Sequence, residues 1–89
     1  MIVTAGADQD GAYASGIVPA LTETGGTCML TASNGSTELN ATRQGEGATG
    51  STNCGLLRID VGPGDWELTL SYISATAEGR SAPEVVSVP

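Results

Sequence analysis

The sequence predicts an all-β domain, two packed sheets of about seven short strands pinned by one disulfide. Three observations predict it. Apolar and polar residues alternate with a period of two after residues 26, 54 and 65, as in strands with one buried face. Gly and Pro interrupt every stretch before a helix of useful length can be written, and β-branched residues fill the intervals. The two cysteines, Cys28 and Cys54, lie 26 positions apart, far from a C-x-x-C redox pair, so a structural bridge is expected.

Eighty-nine residues make one domain, residues 1–89, and a chain this short buries too little surface to dispense easily with a covalent link. Strands are expected over residues 2–6, 13–21, 27–33, 36–43, 54–61, 66–74 and 83–88, the number of a small sandwich. Asn34-Gly35 separates the third from the fourth and is the preferred pair for a two-residue type I′ turn. That turn sets Ser33 opposite Ser36, and counting outward sets Ala32 opposite Thr37, Leu30 opposite Leu39 and Cys28 opposite Ala41. One face of the ribbon is then mostly apolar, with Cys28 on it.

The strand after Cys54 alternates Leu57, Ile59 and Val61 with Arg58 and Asp60. After the turn Gly62-Pro63-Gly64-Asp65, residues Trp66, Leu68, Leu70 and Tyr72 share one face, and Glu67, Thr69 and Ser71 the other. Burying each such apolar side chain contributes roughly 1.5–3 kcal/mol. Residues 44–53 are rich in Gly, Ser and Thr without a pattern and read as a mobile loop; residues 75–82 read as a polar connection. The end, Val85-Val86-Ser87-Val88-Pro89, reads as a last strand running into a linker between tandem modules.

The formal charge of −7, with no Lys and only Arg43, Arg58 and Arg80 as cations, argues against nucleic acid and anionic membrane surfaces as partners. No stretch is long and apolar enough for a transmembrane helix. A disulfide implies an oxidising compartment, hence an extracellular or cell-surface location; buried free thiols in a cytosolic protein are the alternative. Met1-Ile2-Val3-Thr4 lacks a basic start and an apolar run, so no signal peptide is read. A mature or excised fragment with an added Met1 reconciles this with the disulfide, as does a virion protein oxidised after assembly.

Candidate sites are few. Asp8-Gln9-Asp10-Gly11 resembles a truncated calcium loop, making Asp8 and Asp10 weak metal candidates, but no Glu follows at the distance such loops need. An Asp-Gly turn is the plainer reading, and neither metal nor cofactor is expected. Asn34-Gly35-Ser36 and Asn40-Ala41-Thr42 match the glycosylation sequon. Without His there is no conventional catalytic triad, and without Lys no Ser–Lys dyad; no enzyme is expected. Trp66 and Tyr72 fall on the apolar face, which places them in the core and not on a sugar-stacking surface.

Gly25-Gly26-Thr27-Cys28, Asn34-Gly35, Asn53-Cys54-Gly55, Gly64-Asp65-Trp66, Ser71-Tyr72 and Ser81-Ala82-Pro83 follow one another in an order that resembles small immunoglobulin-like or fibronectin-III-like modules. The resemblance is greatest to secreted proteins of high-GC Gram-positive bacteria and covers residues 13–89. It implies an immunoglobulin-like β-sandwich used as a spacer, stalk or adhesive unit on the cell surface, with no shared active site. The partners implied are neighbouring domains of a larger surface protein, or an extracellular protein gripped by residues 22–26, 44–53 and 75–82. A virion or filament subunit is the third expectation.

Overall fold

Nine strands appear among the described residues of the computed structural model, which describes residues 2–19, 22, 25–75 and 77–89. They are β1 (Ile2–Asp8), β2 (Gly11–Pro19), β3 (Thr27–Ser33), β4 (Glu38–Gln44), β5 (Glu46–Ala48), β6 (Ser51–Ile59), β7 (Gly64–Ile73), β8 (Glu78–Arg80) and β9 (Glu84–Val88). Two antiparallel sheets pack face to face. One has the order β1-β2-β6-β5; the other has β4-β3-β7-β8, with β9 also on β7. The predicted β-sandwich is therefore observed, with nine strands where about seven were expected. The extra two, β5 and β8, lie inside the stretches read as loops. The predicted ends of the second strand at Ala20 and Leu21 lie outside the described residues.

The core follows the alternation. Cys28, Leu30, Ala32, Trp66, Leu68, Leu70 and Tyr72 point inward from one sheet, and Ala12, Ala14, Cys54, Leu57 and Ile59 from the other; all are buried. Leu30 and Leu70 face each other across β3 and β7. The indole N–H of Trp66 donates to the Gly62 carbonyl at 2.9 Å, so the one large anchor is buried without an orphaned donor. Gly26 lies against Tyr72: a Cβ there would come within 2.1 Å of the phenol oxygen. A side chain at residue 26 would displace the tyrosine from the core.

Two local details differ from the sequence reading. In the β3–β4 hairpin Ser33 faces Glu38, Ala32 faces Leu39 and Leu30 faces Ala41, two residues out of the predicted register. The cause is Asn34. Its side-chain Oδ1 accepts from the amides of Ser36 at 3.1 Å and Thr37 at 2.8 Å, and its own N–H donates to Thr37 O at 3.1 Å. These bonds hold a four-residue loop over residues 34–37 in place of a two-residue turn. A shift of two preserves side-chain parity, so Cys28 still points inward.

The second detail is in β6. Cys54 and Leu57 are both buried, yet an odd spacing would put them on opposite faces of a regular strand. The β2–β6 register jumps from Gly16–Gly55 to Ile17–Asn53. The resulting bulge carries Gly55 at φ 68°, a left-handed conformation that favours glycine. This irregularity turns Cys54 inward toward β3.

The molecule is 36 × 21 × 18 Å along its principal axes. One pole carries the β1–β2 turn, the Asn34 loop and the β6–β7 connection. The other, the loop pole, carries the β2–β3, β5–β6 and β7–β8 connections. β1 starts opposite Gly16 and runs to the turn pole, where Asp8 faces Gly11. β9 runs the same way and ends with Val88 opposite Gly64.

Candidate functional site

The disulfide is the one covalent feature. Cys28 and Cys54 are joined at an S–S distance of 2.04 Å with Cα atoms 5.7 Å apart. It links β3 to β6, so it ties one sheet to the other close to the loop pole. Both cysteines are fully buried.

At the turn pole the structure places Asp8 at the end of β1 and Asp10 in the β1–β2 turn. Asp8 Oδ1 accepts from the Asp10 amide at 2.9 Å, and both carboxylate oxygens accept from Arg58 Nη2. Arg58 reaches across β2 from β6 to β1 and lies 5.6 Å from the ring centroid of Tyr13, a cation–π distance. Tyr13 in turn lies over Gly6, whose missing side chain makes room for the phenol. The Arg58 guanidinium, and next the Asp10 amide, hold the Asp8 carboxyl below its ordinary range. Asp8 in turn raises Arg58. Asp8 thus answers a cation of its own chain, 50 residues away in sequence. Among the described residues no group of three or more His, Cys, Asp or Glu gathers as a metal site would require.

Of the three stretches expected to form a binding surface, the described residues bring two together at the loop pole. Gly45 N–H donates to Gly26 O at 2.8 Å and Gly25 N–H to Gly45 O at 3.4 Å, which joins residues 22–26 to residues 44–53; Glu23 and Thr24 lie outside the described residues. Residues 44–53 are a folded segment and not the mobile loop expected. They hold β5 and the start of β6, with Gly45 and Thr52 buried. Within residues 75–82, Ser74 N–H donates to Ala77 O at 2.8 Å, and Ser74 Oγ accepts from Ala77 N at 3.1 Å; Thr76 lies outside the described residues. Ser81 then closes the gap between β8 and β9. Its N–H donates to Leu70 O at 2.7 Å, and its Oγ accepts from Leu70 N at 2.9 Å.

A shallow groove of about 450 Å³ lies on the outer face of the β4-β3-β7-β8 sheet, between Met29, Ser71, Ile73, Glu78, Gly79 and Arg80. It continues into a second of about 270 Å³ walled by Thr31, Ser33, Glu38, Glu67 and Thr69. Hydroxyls, carboxylates, one guanidinium and the exposed Ile73 line it. Sequence reasoning assigned Glu67, Thr69 and Ser71 to this outer face but missed the concavity, because β8 supplies one wall and its three residues carry no alternation. Of the two sequons, Asn34 has its amide oxygen engaged in its own loop, and Asn40 sits exposed on β4.

No family model, no curated protein and no solved structure matches this chain.

Proposed function

We propose that this chain is a non-catalytic structural module, a spacer in a secreted or cell-surface protein, of the immunoglobulin-like kind that its Cys, Gly-x-Trp and Tyr order resembles. The partners in this reading are the neighbouring domains of the same protein, and the source is bacterial. The observation that carries it is the direction of the terminal strands. Both β1 and β9 run toward the turn pole along a rod 36 Å long. Tension applied through the two ends slides β1 along β2 and β9 along β7. Many ladder hydrogen bonds are then loaded together instead of one after another. Behind these strands the inter-sheet bridge closes the segment between Cys28 and Cys54.

Pulling a tandem array from end to end tests this reading. Each domain is expected to yield in a single cooperative rupture. Reduction is expected to lengthen the chain released by about 80–88 Å, since 26 residue steps at about 3.3–3.6 Å each replace a bridged Cα–Cα span of 5.7 Å. Extension without a rupture peak would contradict a spacer that carries load. The contact between Gly25-Gly26 and Gly45 at the loop pole favours a second reading, an adhesive module that holds an extracellular protein there.

A further inference from the structure

The four sheet edges are not equally protected. β1 is irregular between Ile2 and Thr4 and runs beside β9. β5 and β8 are three residues each. β9 is bracketed by Pro83 and Pro89. β4 is less protected: among the described residues it forms a ladder only with β3, over seven consecutive residues without a bulge. Its cover is confined to the Arg43 end, which packs against β6 with the guanidinium donating to Leu56 O at 3.0 Å. Six of its seven residues are exposed, and it contains neither Pro nor Lys. Its far side therefore offers a row of backbone donors and acceptors with one inward-facing charge, Arg43, a template that natural edges usually spoil more thoroughly.

We propose that β4 pairs antiparallel with β4 of a second copy, about a two-fold axis at Ala41, joining two sheets into one continuous sheet. The sequence of β4 is complementary to itself in this register. Residues directly opposite share a face, so Glu38 meets Gln44 and Asn40 meets Thr42 on the outer face, while Leu39 meets Arg43 and Ala41 meets Ala41 on the inner one. Each pair suits its environment: a carboxylate with an amide, two short polar groups, an aliphatic side chain along an arginine stem, and two small residues at the axis. The strand carries one negative and one positive charge, Glu38 and Arg43, and no like charges stand opposite. Leu39, 40% exposed in one copy, gains cover.

Two properties follow. A single strand pair buries less than the roughly 1,200 Å² of a stable complex, so the dimer is a weak one, populated only at high protein concentration. Each copy carries a formal charge of −7, so association strengthens as salt screens the repulsion. Copies crowded on one surface would pair where dilute ones do not.

Sedimentation equilibrium on the disulfide-intact protein, at low and high salt, tests the pairing. Asn40 and Thr42 are exposed, so substitutions there leave the core untouched. N40E/T42E sets Glu opposite Glu twice and is expected to weaken the dimer about tenfold. N40E/T42K sets Glu opposite Lys and is expected to restore or exceed the original affinity. The register is read separately by cross-linking. A41C is expected to form a disulfide-linked dimer under mild oxidation, whereas in E38C the two sulfur-bearing positions stand about 20 Å apart and stay unlinked. Monomers at every concentration up to the millimolar range, or a dimer indifferent to both double variants, would overturn the proposal. Because the rupture measurement on single domains does not depend on pairing, the two readings fail separately.

Discussion

Reducing the Cys28–Cys54 bridge is expected to lower the free energy of unfolding by about 3.5 kcal/mol, the chain-entropy value for a loop of this length. A small domain has a total stability of only about 5–10 kcal/mol, so the loss is a large fraction. It corresponds to a fall of roughly 15–25 °C in melting temperature. The location adds to the argument. The bridge ties β3 to β6, and these strands belong to different sheets. It is therefore the one side-chain covalent tie among the described residues between two layers that are otherwise joined by backbone connections, apolar contact and the hydrogen bond from Arg43 to Leu56 O. Reduction is a cleaner probe than substitution, because the thiols continue to fill the fully buried volume of the two cysteines. A double C28A/C54A variant removes that volume as well and is expected to lose somewhat more. Urea denaturation with and without reductant measures the difference. An unchanged midpoint would mean that the unfolded chain is already constrained, or that the bridge strains the native fold by as much as it stabilises it.

Leu70→Ala is expected to cost about 2–5 kcal/mol, the range for truncating a fully buried leucine. The upper half of that range is expected here. Leu70 is fully buried on the central strand β7 and faces Leu30 directly. Both its backbone groups are held by Ser81, which limits collapse of the strand into the cavity. Leu39→Ala is the control. Leu39 is 40% exposed at the sheet edge, so its truncation costs less than about 1.5 kcal/mol. Both variants are compared by equilibrium denaturation, and a Leu30→Ala/Leu70→Ala cycle isolates the pairwise coupling. Equal costs at Leu70 and Leu39 would show that the difference in burial between the central strand and the edge has been misassigned.

The parts of the fold visible in the sequence are those where a short-range rule acts alone. β3 runs from Thr27 to Ser33, as its alternation predicts, and the inward set on β7 is that predicted from Trp66 to Tyr72. The hairpin register escaped by two because Asn-Gly supports two loop geometries. A side-chain oxygen of Asn34 that caps a four-residue loop competes with a backbone turn that needs no side chain. Parity survived the error because the hydrophobic pattern, and not the turn, decides which face is buried. The bulge at Gly55 was written in the odd spacing of Cys54 and Leu57, two residues that both belong in a core. β5 and β8 left no trace, since three-residue ladders such as Glu78-Gly79-Arg80 derive their order from the longer strand beside them. For the same reason the groove between Met29 and Arg80 was invisible. The Asp8–Arg58 contact depends on β1, β2 and β6 lying side by side, and strand order is not written in local pattern.

The central claim is that two sheets bury their alternating faces against each other and are tied through Cys28 and Cys54. Nuclear Overhauser spectroscopy of the oxidised protein tests it most directly. Contacts are expected between facing residues on β3 and β7, Leu30 with Leu70 and Ala32 with Leu68. Others are expected on β2 and β6, Ala14 with Leu57, along with contacts from one layer to the other around the bridged cysteines. A run of sequential amide–amide contacts of the helical kind, or cross-strand contacts displaced by an odd number of residues, would contradict it.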